Sequence, residues 1–184
     1  MRAGITARRT REPGGSPGAE AIRALLLQGE TERWDAASET LLFFAARHDH
    51  VVRTIVPALQ AGNWVVCDRF TDSTIAYQGY GRGLAIDQLR ALQRFALGDF
   101  RPDLTLILDL PVAEGLARAA ARSAAADRFE RLDHGFHQRL RDGFLAIAQA
   151  EPARCAVIDA AGDAATVQRA ILAAVAARLG VALT

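Results

Sequence analysis

Two oppositely charged residues, Asp68 and Arg69, follow directly on a short apolar run, Trp64 to Cys67. A buried parallel strand delivers charged side chains to its carboxyl end in this way, and open α/β sheets bind their ligands at that end. Hydroxyl and amide groups come next: Ser73, Thr74, Tyr77 and Gln78. Ligand binding is the chemistry such a cluster supports. A strand-end Asp-Arg pair is also a common structural salt bridge, so by itself the pair assigns nothing. A second pair, Phe43 and Arg47, lies one turn apart within a helical pattern. It falls roughly 40–80° beyond the nearer edge of that helix's apolar stripe, taking 100° per residue. A large aromatic and an arginine on a shared non-core edge need another partner, either a ligand or a neighbouring subunit.

The elements that must position these groups alternate strand and helix, which implies a parallel α/β sheet flanked by helices. Gly4 to Thr10 reads as a strand and runs into the turn cluster R-E-P-G-G-S-P-G, Arg11 to Gly18. A helix over Glu20 to Leu27 turns Ile22, Leu25 and Leu26 inward. One long helix spans Asp35 to Gly62, stopped by Gly62, with Leu41, Phe44, His48, Val51, Val52, Ile55 and Leu59 as its core face. Trp64 to Asp68 is a strand, Ser73 to Tyr80 a short helix, and Ile86 to Leu97 an amphipathic helix ending at Gly98. Leu104 to Leu110 is a near-continuous apolar strand, and Pro111 opens a helix to about Ser123. A helix over Leu132 to Gln149, a strand over Ala156 to Asp159 and a helix over Thr166 to Leu179 follow. The last buries Val167, Ile171, Ala174 and Val175. With no repeat or linker, residues 1–184 read as a single domain.

Composition narrows the function classes. Half of the residues are hydrophobic (51%) and about a quarter charged (23%), as in an ordinary globular domain. The net charge of +1 gives no reason to expect nucleic acid or an anionic surface as partner. No apolar run approaches the ~18 residues of a membrane span, and no signal-peptide core follows Met1. Cys67 and Cys155 sit in apolar, strand-like runs and read as buried free thiols in a reducing cytoplasm; a reactive cysteine is the sharper alternative. His48 and His50, two apart on a helix, cannot face one metal ion together. All 22 basic residues are arginine.

D-R-F-x-x-S-x-x-A-Y-Q-G-x-G-R, from Asp68 to Arg82, resembles the central motif of the bacterial thymidylate kinases, about a dozen positions at fixed spacing. R-E-P-G-G at Arg11 to Gly15 and F-x-x-x-R at Phe43 to Arg47 are similar to further motifs of that family. The resemblance implies a P-loop-kinase-like parallel sheet and transfer of the ATP γ-phosphate to dTMP, with Mg²⁺, giving dTDP in a cytoplasmic homodimer. Phe43 would stack on thymine, Arg47 and Thr74 would read its polar edge with Gln78 alongside, and Tyr77 would pack under the deoxyribose. Arg69, with Arg11, would hold the phosphate; Glu12, Arg23 and Ser73 would line the same pocket. Asp68 would steer waters of the Mg²⁺. Arg118, Arg122 and Arg128, with D-R-F-E at Asp127 to Glu130, resemble the family's lid, placed at about 122–130. Arg122 and Arg128 are then the candidates for stabilising transferred charge, against the plainer reading of a solvated helix face.

One family element is missing. G-x-x-x-x-G-K-[ST], with its strand and helix, precedes R-E-P-G-G in the family, and no G-K-S or G-K-T occurs here. The expectation is that the first, central strand and its phosphate loop lie upstream of a mis-assigned start, leaving the printed chain inactive. Alternatives are a non-catalytic nucleotide-binding homologue and a related kinase with another acceptor.

Overall fold

Short parallel strands carry the helices in this computed structural model, which describes residues 4–30, 32–122, 128–129 and 131–182, with only the backbone of Arg122. β1 (Ala7–Arg11) is followed by α1 (Pro17–Leu27) and α2 (Ala36–His50). A π-helical segment (Val51–Ile55) joins α2 to α3 (Val56–Gln60), and β2 (Trp64–Asp68) comes next. α4 (Thr71–Thr74) runs into a second π-helical segment (Ile75–Gly81), then α5 (Ile86–Leu97) and β3 (Thr105–Asp109). α6 (Val112–Arg122), α7 (His134–Ala150), β4 (Cys155–Asp159) and α8 (Ala164–Leu179) complete the order.

β1 pairs with β2 in parallel, Ala7 opposite Trp64 and Arg11 opposite Asp68. β3 pairs with β4 likewise, Thr105 opposite Cys155 and Asp109 opposite Asp159. The described strands thus form two separate parallel pairs. Val66, Leu108 and Val157 are about half exposed, at 57%, 52% and 47%, so these strands are not covered as buried parallel strands are.

The principal core lies where the second π-helical segment, α5 and α7 pack on β3 and β4, with Ile75, Leu89, Ile107, Phe136, Leu140, Ile147 and Cys155 at its centre. Close approach is enforced by glycine. A Cβ on Gly81 would meet the Phe136 ring at 2.6 Å, and one on Gly143 would meet the Tyr80 ring at 2.6 Å. A smaller cluster of Val51, Ile55 and Phe70 holds the long helix on β2.

That long helix departs most from expectation. Asp35 caps it as anticipated, accepting from Ala37 and Ser38 N–H groups at 2.9 Å. Pro57 has no N–H to give to the preceding turn, and just before it the ladder widens, Val56 N–H reaching Val51 O. The extra residue rotates the face beyond it. Phe44, Val51 and Ile55 are buried as expected, but Leu41, His48, Val52 and Leu59 are exposed. The inward face of α2 carries polar groups instead: Glu39, Thr40, Arg47 and His50 are buried.

Leu25 is 41% exposed, leaving Leu26 as the buried anchor of α1. Val167, Ile171, Ala174 and Val175 are only half-buried, and α8 buries no residue fully. Cys155 is buried and Cys67 half-buried, both as free thiols. Burial pushes both thiols above their usual range, with the Glu12 carboxylate adding to it at Cys67, so neither is an activated nucleophile. No described helix is long and apolar enough to cross a membrane.

Candidate functional site

Beyond the paired ends of β1 and β2 the chain continues in register. Glu12 N–H donates to Asp68 O at 2.9 Å, which brings R-E-P-G-G beside D-R-F. Between these two loops, α1, α2 and the Thr71–Gly81 helix lies a cleft of about 330 Å³. Arg11, Glu12, Arg23, Phe43, Arg47, Asp68, Arg69, Ser73, Thr74, Tyr77 and Gln78 all line it. Pro13, Leu27 and Phe129 line it as well and were not anticipated there. Phe129 had a signal in D-R-F-E, read only as part of a lid; Leu27 had none beyond its place at the end of α1.

Arg47 is 2% exposed and Glu12 5%. Arg47 Nε donates to Glu12 Oε2 at 2.6 Å, one terminal nitrogen to Thr74 Oγ1 at 2.9 Å and the other to Phe70 O at 3.3 Å. An arginine carries five N–H donors, so some remain for a ligand. Glu12 Oε1 lies 3.0 Å from His50 Nδ1, and His50 Nε2 is 2.7 Å from Thr10 Oγ1. Both oxygens of Glu12 are therefore engaged within the protein, and its work is to hold Arg47. Glu12, His50 and Cys67 have ligand atoms within 4.8 Å of one another. With the imidazole bonded on both sides and a guanidinium on the carboxylate, this is a hydrogen-bonded network and not a metal's ligand set.

Arg69 adopts φ 69, the one non-glycine in the left-handed region among the described residues, a strain that gathers at functional positions. Its guanidinium lies 5.1 Å from the Tyr77 ring centroid. Among the described residues neither it nor Asp68 forms an ion pair, so the structural salt bridge between the two is absent and both charges stand available. Arg11 is joined to Glu20 at 3.0 Å, and Arg23 donates to Pro13 O at 2.6 Å. Phe43 faces into the cleft, 6.0 Å from the Phe129 ring, which itself meets the Tyr77 ring edge-on at 5.6 Å.

The arginines expected over the lid separate. Arg118 donates to the Ala160 and Ala161 carbonyls at 2.9 and 3.0 Å and is anchored just past the end of β4. Arg128 is buried and paired with Glu39, beneath the cleft and not open to it. The side chain of Arg122, and most of the segment 122–130, lie outside the described residues. Glu39 is fully buried and also accepts from Gln78 Nε2 at 2.9 Å and from Arg82 at 3.5 Å. No motif pointed to Glu39 or His50.

A flat aromatic, a buried arginine with spare donors and an exposed arginine fit a ligand with a heterocycle at one end and an anion at the other. Comparison with known proteins agrees on the lineage. A family model described as thymidylate kinase matches residues 2–171. The thymidylate kinase of Bradyrhizobium sp. (strain ORS 278) is 56% identical over 172 residues, 92% of this chain and 76% of that protein. That of Caulobacter vibrioides is 54% identical over 171 residues, 93% of this chain and 82% of that protein. The crystal structure of thymidylate kinase from Ehrlichia chaffeensis superposes with a TM-score of 0.72 at 34% identity, covering 94% of this chain and 81% of that one. Family model, relatives and solved structure agree: the chain belongs to the thymidylate kinase family.

Proposed function

We propose that the cleft binds dTMP as phosphoryl acceptor, for transfer of the ATP γ-phosphate to give dTDP. The observation that carries this is the convergence of residues from the Arg11, Phe43 and Asp68 motifs on one cavity. Phe43 stacks the thymine; Arg47, Thr74 and Gln78 meet its polar edge; Tyr77 lies against the sugar. Arg69, with Arg11, pairs the phosphate oxygens, for which a planar fork is suited. Arg23, Ser73 and the Glu12 that holds Arg47 complete the wall. Removing a stacked aromatic costs ~1–3 kcal/mol per base in comparable sites. Phe43→Ala should weaken dTMP binding by calorimetry at least several-fold with the fold retained; unchanged affinity in the folded variant would remove the stacking role.

The donor side differs. Asp68, exposed and without an ion pair among the described residues, fits a residue that orients waters of a Mg²⁺. For the ATP phosphates the residues at hand do not fit: the 184 residues contain no lysine and no G-K-[ST]. Arg122 stands as the candidate for stabilising transferred charge, and Arg128 would first have to leave Glu39. Phosphoryl transfer depends on such positioning and electrostatics almost wholly. The 184-residue chain alone should therefore form no measurable dTDP in a coupled assay, and fusion of a strand–phosphate-loop–helix segment ahead of Gly4 should restore it. Robust turnover by the 184 residues would place a donor site elsewhere. A non-catalytic nucleotide-binding role predicts dTMP binding but no rescue; another acceptor predicts tighter binding of a different nucleotide.

We further propose a cytoplasmic homodimer. Leu41, Val52 and Phe95 are exposed at 56%, 54% and 88% on α2, its π-helical extension and the adjoining α5. A face this apolar calls for a partner, and a second copy supplies it. Sedimentation should show a dimer that Phe95→Glu converts to monomer; an unchanged species would exclude this face.

A further inference from the structure

Gln78 lines the cleft at 1% exposure, and an amide can offer a ligand either its donor or its acceptor end. Here the choice is made from behind. Gln78 Nε2 donates to Glu39 Oε1 at 2.9 Å, and an ionised carboxylate can only accept, so the amide nitrogen must face Glu39. Glu39 is 0% exposed and pinned through its other oxygen by Arg82 and Arg128. Among the described residues that leaves the Gln78 carbonyl oxygen as the end free for a ligand. Beside it stand the spare N–H donors of Arg47 and the hydroxyl of Thr74, whose oxygen already accepts from Arg47 and whose proton is left to donate. An acceptor next to donors complements a pyrimidine that carries a ring N–H beside a carbonyl, as thymine does. Cytosine sets an amine and a bare ring nitrogen against the same groups, donor to donor and acceptor to acceptor.

We infer that Glu39 is a positioning residue: without touching the nucleotide, it fixes the orientation of the Gln78 amide and so makes the cleft select thymine over cytosine. The inference rests on the dTMP reading of the cleft. If Glu39 were lost, the amide would be free to turn and the selection would relax.

Calorimetric titration of the 184-residue chain with dTMP and with dCMP tests this in the parent and in Glu39→Gln, Glu39→Asp and Gln78→Met. The parent should prefer dTMP by ~10²-fold or more, as a site built to hydrogen-bond rejects a ligand with mismatched groups. Glu39→Gln, whose amide can either donate or accept, should narrow the dTMP/dCMP ratio about tenfold, the scale of one lost buried hydrogen bond. Glu39→Asp keeps the charge but falls one methylene short of Gln78 and should narrow it in the same direction. Gln78→Met, with no polar end, should narrow it too. A purely structural Glu39 would weaken both nucleotides together at a constant ratio, and that result overturns the inference. Should Glu39→Gln fail to fold by circular dichroism, an unchanged ratio in folded Glu39→Asp or Gln78→Met overturns it equally. A folded parent that binds neither nucleotide would instead sink the dTMP reading itself.

Discussion

Glu12→Ala should cost the fold about 3–5 kcal/mol, because it strips a buried arginine of its counter-charge. Glu12 and Arg47 have side-chain exposures of 3% and 2% and meet at 2.6 Å. The other carboxylate oxygen meets His50, whose side chain is 0% exposed. Alanine leaves Arg47, 2% exposed on the cleft wall, held among the described residues only by neutral groups, Thr74 Oγ1 and Phe70 O. Glu20→Ala is the matched control. Its partner Arg11 is half exposed, an exposed pair contributes only ~0–1 kcal/mol, and the Gly15 N–H that Glu20 also accepts at 2.8 Å adds about 1 kcal/mol. Denaturant midpoints for the two variants decide the matter; a Glu12→Ala loss no larger than that of Glu20→Ala would mean that Arg47 does not depend on this carboxylate.

Arg69→Gly should part stability from binding. The left-handed backbone at φ 69 costs an L-residue ~1–2 kcal/mol, and glycine adopts it freely. Glycine also loses more chain entropy on folding, which offsets the relief, so the midpoint should move by less than ~1 kcal/mol. Binding should respond quite differently. Charge-assisted hydrogen bonds contribute ~1.5–3 kcal/mol each, so losing the fork should weaken dTMP by roughly 10²-fold. Thymidine, which has no phosphate, should bind nearly as before. Arg69→Lys should fall between, keeping the charge without the fork. Equal loss for dTMP and thymidine would make Arg69 a structural residue that packs on Tyr77.

Residues delivered by contiguous motifs were legible from the sequence. The end of β2, the Asp68-Arg69 pair and the helical spacing of Thr74, Tyr77 and Gln78 are local facts, and the cleft contains them all. Phe43 and Arg47 were legible for a related reason, since their shared edge lay off the apolar stripe. The rest of that helix was misjudged because hydrophobic periodicity assumes an apolar inward face. Where a helix turns Glu39, Arg47 and His50 inward, Leu41 goes outward, and the widened turn before Pro57 rotates the remainder. The groups that hold the site were illegible because they act across the chain: His50 reaches Glu12 over 38 residues and Glu39 reaches Gln78 over 39. No local spacing encodes such contacts. The split of the described strands into two pairs was likewise beyond a pattern of alternating strands and helices, which fixes neither sheet order nor continuity.

Titration of the folded 184-residue chain with dTMP and, separately, with thymidine tests the acceptor cleft most directly, since binding there needs nothing from the donor side. One dTMP should bind per chain at saturation, and more tightly than thymidine, because Arg69 engages only the nucleotide that carries a phosphate. Absence of dTMP binding by the folded chain, or thymidine bound equally tightly, would contradict it.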